Sequence, residues 1–286
     1  MAAEQITSFV GQLKAKAMLS TWKERDDFPH FLIIAGESGS GRQTLAKEFA
    51  RTLDARIHIQ EDISAEAIRN LIAAAYDVPD KLVCVIPNAD NMSIAAKNSL
   101  LKLTEEPPAN GYIVMTLLSL NNTLDTLLSR SQQIVMEPYT IDDLMLLCDN
   151  PELCKLATTP GMLQVFQEKG TEYVKSLADF CDKLIYHIDT VSAVNAMKSG
   201  ARLKFKDSES SDKFDLNMFF AGINYVLNIA TQEMLSGDKP ADWRRLSAWY
   251  NVISEYSYMF NRPGLNKQAV YDQLVFSIRN KLRREQ

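Results

Sequence analysis

The chain has 286 residues, enough for two or three domains, with 46% hydrophobic and 23% charged residues and a formal net charge of −5. That balance is that of a soluble globular protein, and it argues against wholesale coating of nucleic acid while permitting a local basic surface. Its apolar runs are too short to span a membrane, and MAAEQITSF lacks the basic-then-apolar pattern of a signal peptide, so a cytoplasmic protein is expected. The four cysteines (Cys84, Cys148, Cys154, Cys181) form no CxxC pair and are expected to be free thiols. With only His30, His58 and His187 as histidines, no metal site and no zinc are expected.

In chain order, residues 5–23 give a short entry segment followed by an amphipathic helix with Leu13, Ala17, Met18, Leu19 and Trp22 on its apolar face. Phe31–Ala35 is a strand buried on both faces. It runs into Gly36-Glu37-Ser38-Gly39-Ser40-Gly41-Arg42-Gln43-Thr44 and then a helix to Leu53. Strand, glycine-rich loop and helix make a phosphate-binding arrangement, because loop N–H groups converge at a helix N-terminus. Gly36 and Gly41 have the spacing of GxxxxGK[ST], but Arg42 replaces the lysine and Gln43 replaces the metal-binding hydroxyl residue. Arginine is longer and planar, so it is not equivalent at a tight phosphate site.

Arg56–Ile59 reads as a short strand and Ile63–Tyr76 as a helix with Ile68, Leu71, Ile72 and Ala75 inward. Leu82–Ile86 is another doubly buried strand. An enzyme hydrolysing nucleotide needs carboxylates at its end, one for Mg²⁺ and one to orient water. Pro87 and Asn88 stand there instead, and Asp90 reads as a cap of the next helix. That helix spans Ser93–Glu105 and stops at Pro107-Pro108. A buried strand follows at Tyr112–Leu117, then a short helix at Thr123–Leu128 and Ser129-Arg130-Ser131-Gln132.

Asn88-Ala89-Asp90, Asn98-Ser99-Leu100-Leu101-Lys102, Glu105-Glu106-Pro107-Pro108 and Ser129-Arg130-Ser131-Gln132 occur in order, with Gly11-Gln12 and His30 upstream. Over about the first 140 residues this set resembles the bacterial DNA polymerase III clamp-loader subunits, which are AAA+ proteins, and within them the delta-prime type, which has lost the catalytic positions. The resemblance implies an AAA+ P-loop parallel-sheet domain over residues 1–138, a small helical lid over 139–171 and a helical collar for oligomerisation over 172–286. It implies a non-catalytic subunit that supports ATP-driven loading of a sliding clamp onto primed DNA, in a hetero-pentamer with ATPase subunits and a delta-type subunit. By the same resemblance, Arg130, with Ser129, is an arginine finger reaching a neighbour's γ-phosphate. Gly36, Gly39, Gly41 and Arg42 form a degenerate phosphate loop, and Thr116 stands where active members sense that phosphate. No cofactor is expected, ATP binding included. The four-cysteine zinc module that members of the family carry before the next strand is absent between Arg51 and Lys81.

From the residues alone Arg130 also reads as the cap of a helix C-terminus, where its charge suits the dipole. Thr140 and Asp143 form a capping box. Another helix opens at Thr158-Thr159-Pro160-Gly161, with Met162 at or beside the position of the family's second sensor arginine. The remainder reads as helices at 172–188, 190–200, 215–235, 240–260 and 265–284, with a loop at Leu203–Phe214. An aromatic face (Trp243, Trp249, Tyr250, Tyr256, Tyr258, Phe260) reads as core, and the basic tail Arg279–Arg284 as a solvated helix end. Two other functions remain open at this point: an active AAA+ ATPase with a divergent loop, of the clamp-loader motor or helicase-loader kind, and a free-standing DNA-binding module.

Overall fold

The computed structural model describes residues 9–187, 206–208, 211–214, 216–237, 242–257 and 267–284. The chain separates into two compact units: residues 1–149 with 159–161, and residues 150–158 with 162–286.

The first unit is an α/β layer structure. Its strands are β1 (Phe31–Ala35), β2 (Arg56–Ile59), β3 (Leu82–Ile86), β4 (Gly111–Leu117) and β5 (Gln132–Val135). All pair in parallel, in the order β2-β3-β4-β1-β5. The apolar runs Leu32–Ala35, Val83–Ile86 and Tyr112–Leu117 are buried because helices cover both faces. One face carries α3 (Ala65–Tyr76), α4 (Ile94–Ser99), α5 (Leu101–Glu105) and α6 (Asp125–Leu128), whose Ile68, Ala96, Leu103 and Leu127 pack with Ile33, Cys84 and Met115. The other carries α1 (Leu13–Arg25) and α2 (Arg42–Thr52), whose Leu19, Leu45 and Phe49 pack with Leu32, Val83 and Val114. This alternation sends successive strand residues to opposite cores.

The inward set expected for α3 is buried as read, and Ser64 caps it by accepting a hydrogen bond from Ala67 N. Five readings are corrected. The helix expected over 93–105 breaks at Leu100 into α4 and α5, and the helix expected from Thr123 begins at Asp125. In α1 the buried residues are Ala15 and Leu19, while Leu13 is 75% exposed and Ala17 is exposed too. β5 was not expected, because only Ile134 of its four residues is buried. Asp90 does not cap α4. Ser93 does, through Ala96 N, and Asp90 lies in a single 3₁₀ turn, Ala89–Asn91.

Beyond β5, α7 (Ile141–Met145) opens on the expected capping box, with Thr140 accepting from Asp143 N and the Asp143 carboxylate accepting from Thr140 N. The second unit holds α8 (Pro151–Leu156), the helix Pro160–Lys169 beyond its first residues, and helices Thr171–His187, Leu216–Ser236, Trp243–Ser257 and Lys267–Arg284. The expected loop at Leu203–Phe214 instead contains an antiparallel pair, Lys206–Ser208 with Ser211–Phe214. Ladder hydrogen bonds satisfy the backbone there despite the polar sequence. Of the aromatic face, Trp249 and Tyr256 are buried and Trp243 and Tyr250 exposed. Tyr258, Phe260, the 190–200 helix and the 261–266 segment lie outside the described residues.

Candidate functional site: a converted nucleotide site and an exposed arginine

In an open parallel sheet, sites form beyond the carboxyl ends of the strands. Here the ends of β1, β3 and β4 bring Arg42, Asn88 and Thr116 together. Gly39 and Gly41 take φ of 77° and 86°, which only glycine adopts without strain, and the loop turns sharply into α2. A Cβ on Gly36 would lie 2.7 Å from Met136 and 2.8 Å from Ser40 Oγ, so the loop is closely packed.

The loop carbonyls are held from outside. Ser40 O accepts from Tyr139 Oη at 2.7 Å, Ser38 O from Thr159 Oγ1 at 3.3 Å, and Gly39 O from Gly161 N at 2.9 Å. A Cβ on Gly161 would meet Gly39 Cα at 2.7 Å, so the Thr159–Gly161 turn lies directly on the loop. The Gly11-Gln12 motif contributes next to these contacts. Gln12 donates to Glu137 O and accepts from Glu137 N, both at 2.7 Å, which ties the start of α1 to the chain just before Tyr139.

Behind the loop lies a polar network. Arg42, 8% exposed, donates to Asn88 Oδ1 at 3.5 Å, and Asn88 N donates to Thr116 Oγ1 at 3.1 Å. Asn88 itself has φ 50°. Thr116 is therefore engaged in joining β3 to β4. The Asp90 carboxylate accepts from Leu118 N at 2.9 and 3.0 Å and from Asn122 Nδ2 at 2.8 Å. Lys97, also buried, donates to Asn122 O. Burial lowers the pKa of Arg42 and of Lys97, and the field of Asp90 opposes this for both. Sequence reasoning named Asp90 for the wrong role and missed Lys97, Tyr139 and Gln12 as partners, since their contacts join distant segments.

Arg130 sits at the far end of the same stretch. It donates from Nη1 to Thr126 O at 3.1 Å, and its Nη2 pairs with Glu105 Oε1 at 3.4 Å. The helix-end contact expected from the residues is thus present, yet the side chain remains 40% exposed. Ser129 Oγ donates to Thr126 O. A cavity of about 710 Å³ lies along β2 and α3, lined by Arg56, His58, Asn70, Leu71 and Ala74, and none of Arg42, Asn88 or Thr116 lines it.

Residues 54–140 match the family described as DNA polymerase III, delta subunit. The structure is similar to a variant of the RuvB Holliday junction branch migration motor of Thermotoga maritima, with a TM-score of 0.50 and 17% identity over 69% of this chain and 84% of that one. The fold is thus like that of the RuvB motor, and the stretch 54–140 is similar to a DNA polymerase III delta-subunit family. A DNA polymerase III gamma subunit-related protein of Thermotoga maritima is similar over 92% of this chain and 99% of its own, at 17% identity and a TM-score of 0.49. In sequence, an uncharacterized protein of Mycoplasma pneumoniae is 33% identical over 84 residues. That match spans 29% of this chain and 30% of its relative. Among the described residues, no helix is long and apolar enough to cross a membrane, and no group of three His, Cys, Asp or Glu side chains could hold a metal.

An AAA+ fold implies a magnesium nucleotide, and the residues present do not fit the metal. Gln43 offers no hydroxyl, and Pro87 and Asn88 offer no carboxylate at the end of β3. Asp90, the nearby acid, is spent on Leu118 N and Asn122.

Proposed function

We propose that this chain is a non-catalytic subunit of the delta-prime type, supporting ATP-driven loading of a sliding clamp onto primed DNA. In this reading it sits in a cytoplasmic hetero-pentamer with clamp-loader ATPase subunits and a delta-type subunit. Residues 1–138 form the degenerate AAA+ domain, 139–171 the lid and 172–286 the collar. Arg130, flanked by Ser129, is the finger that faces a neighbour's γ-phosphate.

The observation that carries the reading is the contrast within one stretch. At the ends of β3 and β4 the polar groups bond to one another through Asn88, Thr116 and Asp90, whereas Arg130 stands exposed beyond α6. An arginine placed against a developing phosphoryl charge accelerates hydrolysis by roughly 10³–10⁵-fold. Such a residue serves chemistry only if the phosphate comes from elsewhere, since this chain lacks its own metal ligands.

Two measurements test it. The purified chain is expected to show no Mg²⁺-dependent ATP hydrolysis, and turnover above that of an Arg42→Ala control would establish an active ATPase instead. Reconstituted with clamp-loader ATPase subunits, Arg130→Ala is expected to lower DNA-stimulated hydrolysis at least about tenfold while the assembly forms normally. Unchanged hydrolysis removes the finger role.

A further inference from the structure

The sheet ends on β2, which pairs with β3 on one side and with no described strand on the other. In the shared ladder Arg56 N donates to Lys81 O at 2.9 Å and Gln60 N to Val85 O at 2.8 Å. A strand in a parallel ladder turns alternate residues to opposite edges, so Ile57 and Ile59 direct their N–H and C=O groups away from β3. Such an edge is a template for a further strand. Neither proline nor lysine interrupts Arg56–Ile59 to blunt it.

The side chains of this edge are also uncovered. None of Arg56, Ile57, His58 and Ile59 belongs to either core, and all four are exposed, Ile57 by 41% and Ile59 by 39%. The register sets Arg56 beside Leu82 and His58 beside Cys84, so both point to the α3 face of the sheet. There α3 packs Ile68, Leu71, Ile72 and Ala75 into the core that holds Cys84 and Ile113 and leaves β2 bare. The cavity of about 710 Å³ fills the gap, and the short side chains of Ala67 and Ala74 do not close it.

The lining has a definite chemistry. Leu71, Val78 and Leu82 give it apolar surface, Arg56 and His58 give it basic groups, and no acidic side chain lines it. The ion pair of Arg56 with Asp80 is 3.9 Å long and exposed on both sides, so it holds the guanidinium only weakly. A carboxylate brought into the groove therefore meets a cation it can pair with bidentately, whereas an ammonium group meets like charge.

We propose that this edge binds an extended peptide of a partner protein. The peptide adds to β2 as a further strand, with apolar side chains over Ile57 and Ile59 and an acidic side chain in the groove at Arg56 and His58. Main-chain hydrogen bonds to Ile57 and Ile59 supply affinity, and the groove selects alternate side chains. The proposal does not rest on the subunit role given above.

The test is fluorescence anisotropy of the full chain with a labelled, capped short peptide in which valine alternates with glutamate, leucine and glutamate. Saturable binding is expected, and lysine in place of both glutamates is expected to weaken it at least about tenfold. Methylating the nitrogens of one alternate set of peptide residues should abolish binding, while methylating the other set should leave it, because only one set faces β2. Ile57→Pro removes an N–H that the β2–β3 ladder does not use, a change edge strands tolerate, and should weaken binding at least about tenfold. Arg56→Glu, a surface change that serves if the proline variant folds poorly, should reverse the preference so that the lysine peptide binds more tightly. No saturable binding up to about 1 mM overturns the proposal. Equal affinity for the glutamate and lysine peptides overturns it, as does equal binding of the two methylated forms. Sedimentation that shows a wild-type dimer and an Ile57→Pro monomer assigns the edge to a second copy of this chain and overturns it too.

Discussion

Replacing Asp90 with alanine removes three accepted hydrogen bonds and the counter-charge of two buried cations at once. The carboxylate takes Leu118 N at both oxygens and Asn122 Nδ2 at one, and it faces Lys97 and Arg42 electrostatically. Each hydrogen bond to a charged group contributes about 1.5–3 kcal/mol when made, and the field of Asp90 reaches Lys97 and Arg42 without a direct ion pair. Asp90 itself is only half-buried, so water can reach the site and part of this is recovered. A net loss of about 2–4 kcal/mol is expected. In a unit of roughly 150 residues that lowers Tm by about 4–16 °C. The assay is thermal unfolding of the full chain followed by hydrogen exchange, which locates the change. Faster exchange is expected at Leu118 and across Leu120–Leu128, the segment that leads to Arg130. Asp90→Asn, which retains one acceptor, should fall between wild type and alanine. A loss below about 1 kcal/mol, or exchange unchanged at Leu118, would refute the claim that Asp90 fastens β3 to β4.

Four other outcomes are expected. Gln12→Ala unpairs both backbone groups of Glu137 and should cost about 2–3 kcal/mol by denaturant titration, whereas a loss below half of that would show water replacing the amide. Gly161→Ala places a methyl 2.7 Å from Gly39 Cα, where backbone cannot yield as a side chain would, and should cost about 1–3 kcal/mol while loosening the loop in hydrogen exchange. Burial pushes the Cys84 thiol up to about 11 from 9.0, so the unfolded chain loses its proton first as pH rises. The stability Cys84 contributes is therefore whole below pH 9 and disappears by about pH 11, a loss of roughly 3 kcal/mol that Cys84→Ala should abolish in pH-dependent unfolding. In thiol labelling of the folded protein, half-buried Cys148 should react before buried Cys84, Cys154 and Cys181.

What could be read from residues follows from how local each signal is. Leu82–Ile86 and Phe31–Ala35 announce themselves because a strand covered on both faces must be apolar throughout. Thr140 and Asp143 are legible because a capping box closes within four residues. β5 was illegible for the converse reason: as an edge strand it buries only Ile134, so neither a continuous run nor alternation survives. The apolar stripe of α1 was placed too far round the helix, because Leu13 carries the right character but meets no partner. At the site, the loss of metal ligands was plain from Gln43, Pro87 and Asn88. The contacts that replace them were not. Gln12 reaches Glu137 across 125 positions and Tyr139 reaches Ser40 across 99, and no periodicity within one segment encodes such pairs.

The glycine-rich loop is held in one shape by the rest of its unit. The reason lies in what its backbone now does. Three consecutive carbonyls, of Ser38, Gly39 and Ser40, anchor Thr159, Gly161 and Tyr139, and Tyr139 is in turn set by the Gln12 clamp on Glu137. Turning those carbonyls outward leaves the peptide N–H groups on the other side, since each peptide unit is planar and its N–H and C=O are opposed. The packing role thus fixes where the N–H groups of Gly39 and Gly41 point, while Ser40 N donates to Glu37 O. Arg42 fits that constraint. An apolar residue in its place would avoid the desolvation of a guanidinium but would give up the contact to Asn88 Oδ1. Retaining a cation there keeps the contact to Asn88 at the end of β3, with the field of Asp90 opposing the cost of burying Arg42.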